Sequence, residues 1–123
     1  MPSIVQALRG LVDIPSSSVT GDMTTREVGT TTLYVEHNGG FRMVRDRMDR
    51  VDVVYEAYAT DREEAARLAY SARDHFLRNF PDLVSGELHF LDTLEISSPD
   101  YEPDAASREH VYSGEVSLFY LEN

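Results

Sequence analysis

The side chains best suited to chemistry in this chain are its histidines and the carboxylates near them. His75 follows Asp74 in a segment with helical periodicity, and a histidine beside a carboxylate can act as a general base. No serine, cysteine or second acid stands at a spacing that would complete a nucleophilic arrangement with it. We therefore interpret His75 as a partly exposed structural residue, and we predict no catalytic residue in the chain.

A second candidate is a metal site at Glu87 and His89, which are separated by one residue and so lie on one face of a predicted strand. A carboxylate and an imidazole can begin a metal site, but two ligands do not complete one. His37 and His110 lie near predicted strand ends with no fixed relation to this pair. The sequence therefore predicts neither metal nor cofactor, and a metal-dependent hydrolase built on Glu87 and His89 is the last-ranked hypothesis.

Other catalytic and binding patterns are missing from the sequence. Asp52 and Glu56 lie on one face of a predicted strand but too far apart to share a proton. The chain has no cysteine, which excludes disulfides, thiolate nucleophiles and thiolate metal sites. Its glycines, including Gly39 and Gly40, form neither a GxGxxG nor a Walker pattern, so phosphate binding is not supported.

The charge balance limits the partners of the protein. A formal net charge of -11 argues against a surface that grips nucleic acid through phosphate contacts, although DNA could still slide past it. All eleven basic residues are arginines, whose planar forks pair well with carboxylates. The sequence has no long apolar run and no secretory signal pattern at its start, so we expect no membrane association and synthesis in the cytoplasm.

The elements that must position these residues are organised around the stretch from Val51 to Phe80. Its first nine residues alternate in the way a strand does, with one face carrying Val51, Val53, Tyr55, Ala57 and Ala59.

A helix is predicted directly after this strand. Thr60 and Glu63 have the spacing of a capping box, which would stabilise the helix by about 1 kcal/mol. Pro81 cannot continue the helix beyond its end. Apolar residues recur at helical spacing at Ala65, Leu68, Ala69, Ala72, Phe76 and Phe80.

The first part of the chain predicts a short helix from Ser3 to Leu11, followed by a flexible loop or arm at residues 13 to 29. A strand is expected from Thr30 to His37, because this segment is rich in β-branched and aromatic residues. Asn38-Gly39-Gly40 then predicts a hairpin turn, with Phe41 to Arg50 as the return strand and its extension.

The last part of the chain predicts a turn from Asp82 to Gly86 and two further strands. The first strand carries Leu88, Phe90, Leu94 and Ile96 in alternation with polar positions. An exposed loop is expected from Ser97 to Ser107. The final strand, from Glu109 to Leu121, is apolar on both faces, which indicates that a partner covers one of them.

Together these elements predict a single α+β domain, a two-layer sandwich with a mixed or antiparallel sheet of about five strands and one long and one short helix on one face. The other face has no helix to cover it. It must therefore be polar or become buried by assembly.

Opposite charges are concentrated in two segments, and we consider them a candidate subunit interface. The alternative is a solvated hairpin in which Asp46 and Asp49 pair locally with the arginines. In an interface, bidentate arginine–carboxylate pairs between neighbouring subunits would fix the register. The candidate residues are Arg42, Arg45, Arg47, Arg50, Asp100, Glu102 and Asp104.

Two stretches resemble the tail terminator, or tail completion, proteins of long-tailed phages. The first, from Arg50 to Leu77, contains a strand R-V-D-V, a helix start T-D-R-E-E-A and a helix A-x-x-L-A. The second joins the acidic loop SSPDYEPD to R-x-x-V-Y-S-G-x-V-S-L. The resemblance covers the second half of the chain, and residues 13 to 29 match no part of the pattern.

The resemblance implies a non-enzymatic structural protein of the virion tail or neck. It implies a hexameric ring that caps the tail tube, ends tail polymerisation and joins the tail to the head. The implied partners are further copies of the chain, the major tail tube protein and a head-tail connector or stopper protein, with DNA passing through the lumen without specific binding. Another neck or minor tail protein, and a dimeric small-ligand-binding α+β module, are the alternative hypotheses.

Overall fold

The computed structural model describes residues 4, 8–9, 19–21, 30–44, 48–85, 88–102 and 109–122. These residues form one six-stranded sheet and a long helix that packs against it. The elements are β1 (Val19–Thr20), β2 (Thr32–Val44), β3 (Met48–Ala59), α1 (Arg62–Arg78), β4 (Val84–Ser85), β5 (Leu88–Tyr101) and β6 (His110–Glu122).

The strands lie in the order β1-β2-β3-β6-β5-β4, so the sheet is mixed. Only β1 and β2 pair in parallel, and every other pairing is antiparallel. Because β3 and β5 flank β6 and both pair antiparallel with it, they run parallel to each other, and α1 connects them. The two-layer α+β sandwich is therefore confirmed. Four long strands make up most of the sheet, with a two-residue strand at each edge.

A chain of aromatic rings joins the two layers. The ring of Tyr55 on β3 lies 5.3 Å from that of Phe76 on α1, which lies 4.8 Å from that of Phe80. Phe80 in turn lies 5.0 Å from Phe90 on β5. All four side chains are fully buried, so the strongest apolar periodicities in the sequence meet in one core.

The predicted faces of the strand and the helix between Val51 and Phe80 are confirmed. The odd-numbered residues of β3 from Val51 to Ala59 are buried, and the intervening residues are half-buried. On the helix, the buried positions are Ala65, Leu68, Ala69, Ala72 and Phe76.

The predicted capping box at Thr60 is wrong. The N-cap residue is Asp61, whose side chain makes no capping hydrogen bond, and Thr60 is an exposed residue before it. The first backbone hydrogen bond of the helix runs from the Ala65 N–H to the Asp61 carbonyl at 3.1 Å. The helix therefore begins without a side-chain cap and is held mainly by its buried face.

The predicted N-terminal helix is confirmed at its described residues, whereas the predicted arm that follows is wrong at Val19 and Thr20. Ile4, Leu8 and Arg9 are helical, and the side chains of Ile4 and Leu8 join the same core. Within the predicted arm, Val19 and Thr20 instead form β1, which pairs with β2. Val19 is fully buried, and its carbonyl accepts hydrogen bonds from Arg9 Nε (3.0 Å) and Nη2 (2.7 Å). Apart from Gly21, which is exposed, the rest of the arm lies outside the described residues.

The predicted hairpin turn at Asn38-Gly39-Gly40 is also wrong. This tripeptide lies within β2, which continues to Val44 and pairs with β3 as far as Met48. His37 pairs with Val53 and Gly40 with Val51, so β2 holds one extra residue in this interval. Glycines inside a strand often mark such a bulge rather than a turn. The described residues therefore place no turn at this tripeptide, and residues 45–47 lie outside the described part.

The strand β5 is longer and less regular than predicted. Ser97–Tyr101, expected in a loop, belong to this strand, whereas residues 103–108 are outside the described part. Its pairing with β6 shifts register three times, between Phe90 and Asp92, between Glu95 and Ser97, and between Ser97 and Asp100. Because the first shift reverses the alternation, Phe90 is buried whereas Leu94 and Ile96 are 57% and 45% exposed.

Candidate assembly surfaces

The sheet face opposite α1 is here called the outer face. The register places them by their pairing with the even-numbered residues of β3, which alternate with its buried side chains. The described side chains on this face include Tyr34, Glu36, Arg50, Asp52, Val54, Glu56, Tyr58, Val111, Ser113, Glu115, Ser117, Phe119, Leu121, Asp92 and Leu94.

A polar network fixes the middle of the outer face. Asp52 accepts hydrogen bonds from Arg50 Nε at 2.9 Å and Nη2 at 3.3 Å, and from the Ser117 hydroxyl at 2.6 Å. Burial acts to raise the pKa of Asp52, but the hydrogen bonds from Ser117 and Arg50 outweigh it and hold that pKa below its ordinary value. Arg50, predicted as an interface residue, therefore binds a carboxylate of its own chain.

Apolar side chains surround this network and remain partly accessible. Val54, Phe119 and Leu121 are half-buried, and Leu94 is more than half exposed at 57%. Thr32 and Val111, on the same face, are buried, so this part of the face is not accessible. No helical residue among those described packs on the outer face, because Ile4, Leu8 and α1 all contribute to the core on the opposite side. The accessible part of this face thus combines apolar and acidic side chains.

The described residues of the predicted basic and acidic segments lie at opposite ends of the sheet. Arg42 and Arg50 lie near the β2–β3 hairpin, where Arg50 pairs with Phe119 of β6. Asp100 pairs with Ser113, six residues away along β6 and therefore about 20 Å distant. Arg50 therefore cannot pair with Asp100 within one chain, and Arg45, Arg47 and Asp104 lie outside the described residues.

The acidic end is anchored by a cluster of aromatic and basic side chains. Tyr101 Oη and His110 Nδ1 are hydrogen-bonded at 2.7 Å, and the Arg62 guanidinium lies 4.0 Å from the Tyr101 ring centroid. Arg62 Nε also donates to Tyr112 Oη at 3.0 Å. Asp100 accepts a hydrogen bond from the Tyr101 N–H at 3.1 Å. These contacts hold the end of β5 in place, and Asp100 and Glu102 are exposed there.

A bidentate ion pair links α1 to β5 on the helix side. Arg73 donates to Glu95 through Nε and, at 3.0 Å, through Nη2. The hydrogen bond from Arg73 holds the pKa of Glu95 below its ordinary value and raises the pKa of Arg73. This pair is not predictable from the sequence, because the residues are 22 positions apart and the bulge that turns Glu95 toward the helix has no clear sequence signal.

The titratable residues considered for catalysis do not converge in the described part of the chain. His75 is half-buried on α1, His89 is half-buried on β5 opposite Leu121, and Glu87 lies outside the described residues. Within the described ranges, no group of three or more histidine, aspartate or glutamate side chains could hold a metal ion. The helices of this part include none that is both long and apolar enough to cross a membrane.

No protein-family model matches the chain, and no curated protein matches its sequence.

Proposed function

We propose that the protein is a structural component of a long-tailed phage virion that forms a ring at the end of the tail. In this role it is a tail terminator, which caps the tail tube, ends its polymerisation and joins it to the head connector. The proposal comes from the sequence resemblance over the second half of the chain. The accessible outer face of the sheet supports it, because copies of the chain or the end of a tube could cover that face.

The separation of charge along the sheet also supports a ring. A closed ring of more than two subunits needs two different surfaces on each subunit that complement each other. Arg42 and Arg50 lie toward one end of the sheet, and Asp100 and Glu102 lie at the other. Contact between the hairpin of one subunit and the acidic end of the next would satisfy this requirement.

The overall charge suits a protein through which DNA passes. An acidic lumen repels phosphates, so DNA could move through it without being held. With twice as many acidic as basic residues, the chain has the charge that such a lumen needs.

The direct test is the mass of the purified chain as a function of concentration, measured by sedimentation velocity. We expect a species of about six times the 13.9 kDa chain, seen as a ring with a central hole by electron microscopy. Reversing the charge of Arg45 and Arg47 should weaken this species. A chain that stays monomeric at every concentration and on purified tail tubes would contradict the proposal.

A small-ligand-binding module is the second candidate, and one cavity favours it. A partly open cavity of about 380 Å³ is lined by Ile4, His37, Val51, Leu88 and Tyr120. Its lining is mainly apolar, and His37 and Tyr120 contribute polar groups, as is typical of a small-ligand site. This hypothesis predicts a dimer whose melting temperature rises with a small apolar or aromatic ligand. A hexamer without any ligand response would favour the ring instead.

A further inference from the structure

The cavity of about 380 Å³ lies on the helix side of the sheet, near the start of β3 and the end of β6. Val51 and Tyr120 face this side in the register, and Leu88 of β5 packs against the same core. Ile4 of the N-terminal helix and His37 of β2 complete the described lining. The cavity therefore lies beside the core and is separate from the outer face.

The cavity also lies at the end of the buried chain of aromatic rings. The Tyr120 ring is 6.3 Å from the Phe90 ring and tilted by 59° to it, and Tyr120 forms part of the cavity wall. Aromatic rings attract one another in tilted or offset arrangements with centroids about 4.5–7 Å apart. A planar aromatic molecule in the cavity could therefore pack against Tyr120 as the next ring in the chain.

The size and the walls of the cavity suit one small neutral molecule. Its volume is at the lower end of the range for ligand sites, about 300–1,000 Å³. Three of the five described lining residues are aliphatic, and Ile4 and Val51 are only 3% and 8% exposed. The described lining contains no arginine, aspartate or glutamate, so a charged ligand would lose solvent without gaining a partner of opposite charge.

His37 gives the cavity a directional polar group. Its side chain is exposed, and a neutral imidazole has one nitrogen that accepts a hydrogen bond. The bulge of β2 begins directly after His37, and bulges commonly re-aim a neighbouring side chain. An N–H or O–H group of a ligand could therefore donate to His37 while the ligand ring packs against Tyr120.

We propose that the cavity binds a neutral aromatic molecule with one hydrogen-bond donor, of the phenol or indole class. The ring packs against Tyr120 and the aliphatic walls, and the donor binds the His37 imidazole. The inference deepens the second candidate function, on whose cavity it rests, but it requires neither a dimer nor a ring.

The probe is indole, because the chain contains no tryptophan and the fluorescence of indole therefore reports the ligand alone. Titrating the whole chain into indole should shift this emission to saturation, with a Kd of about 1 mM or below. N-methylindole, which has no N–H donor, should bind about fivefold more weakly, as for loss of one net hydrogen bond. The anion indole-3-acetate should also bind more weakly than indole, because its charge finds no partner in the described lining.

Two histidine variants test the hydrogen bond. His37→Leu should abolish the preference for indole over N-methylindole and leave the affinity for N-methylindole unchanged. His89→Leu is the matched control, because His89 is half-buried on β5 and does not belong to the described lining. This control should keep the full preference for indole.

Tyr120→Leu tests the ring contact. It keeps an apolar side chain in the cavity wall, so both indoles should bind about threefold to tenfold more weakly, as for loss of an aromatic pair. Because Tyr120 also packs against the core, the melting temperature of this variant is measured in parallel. If the variant unfolds, the two histidine variants decide the question.

Indole emission that stays unchanged up to about 5 mM protein, or a preference for indole that survives His37→Leu, would overturn the inference. Neither result bears on the ring, which the mass of the chain decides. A chain that stays monomeric and still binds indole would contradict the ring while supporting the cavity as a ligand site.

Discussion

The two faces of the sheet differ in how completely their side chains are packed. On the helix side, Val53, Tyr55, Val116 and Leu118 are fully buried against α1 and neighbouring strands. On the outer side, Val54, which directly follows Val53, is only half-buried. The helix face therefore supplies the stability of the subunit, whereas the outer face has apolar surface left over for a partner.

The difference in packing between the two faces is tested most strongly by deleting one phenylalanine ring from each face. Phe76→Ala removes a fully buried ring of the aromatic chain and should lower the free energy of unfolding by about 3–5 kcal/mol. Phe119→Ala removes a half-buried ring from the outer face and should cost less than about 1.5 kcal/mol. Urea denaturation of dilute protein measures both values. Equal losses would mean that the outer face is packed within the subunit.

The next largest effect is expected where the helix-side core is tightest. A Cβ atom added at Gly114 would lie 2.5 Å from both Cζ and Oη of Tyr55, which is closer than such atoms can approach. Gly114→Ala should therefore cost about 1–3 kcal/mol, as overpacking of a core does.

The matched control for Gly114→Ala is Ser113→Ala, one residue earlier and on the outer face. It should change the free energy of unfolding by no more than about 0.5 kcal/mol. If Gly114→Ala proved equally mild in thermal or urea unfolding, the Tyr55 ring would have to move freely, contrary to a dense core.

A smaller loss of stability is expected when the ion pair between Arg73 and Glu95 on the helix side is removed. Glu95→Gln removes the carboxylate bound by Arg73 and should cost about 1 kcal/mol at neutral pH. Because the folded pKa of Glu95 is lowered, the unfolded chain takes up the proton first as the pH falls. The stabilisation is thus complete above the ordinary pKa of 4.5 and is lost as the pH falls through the lower folded value.

Urea denaturation between neutral and acid pH should therefore show the curves of Glu95→Gln and the original chain converging below about pH 4. Asp52→Asn provides the comparison on the outer face, where the pKa of Asp52 is likewise lowered by Ser117 and Arg50 despite burial. A constant difference for Glu95→Gln across this pH range would show that the lost stability does not come from its charge.

The sequence predicted the helix side of the molecule well because burial dictates the pattern there. The alternation from Val51 to Ala59 and the helical spacing of Leu68 and Phe76 identified the buried faces. These residues face an apolar layer, so any shift of register would expose the core.

The candidate surfaces were less predictable because their positions depend on bulges and on contacts between distant residues. The alternation of Phe90, Leu94 and Ile96 suggested one apolar face, but a bulge turns the later residues outward. The glycines after Asn38 likewise indicated a turn, whereas they mark a bulge inside β2. Local composition could not distinguish these outcomes, since the same residue types suit both.

The smallest expected effect concerns Thr60, at the boundary between β3 and α1. A capping hydrogen bond from its side chain would make Thr60→Ala cost about 1 kcal/mol. The helix begins one residue later, with Asp61 as the N-cap and no side-chain cap. We therefore expect Thr60→Ala to lower the free energy of unfolding by less than about 0.5 kcal/mol, as for other exposed residues. A loss near 1 kcal/mol in urea denaturation would mean that Thr60 caps the helix in solution, and the local capping pattern, rather than the packed face, would then set where α1 begins.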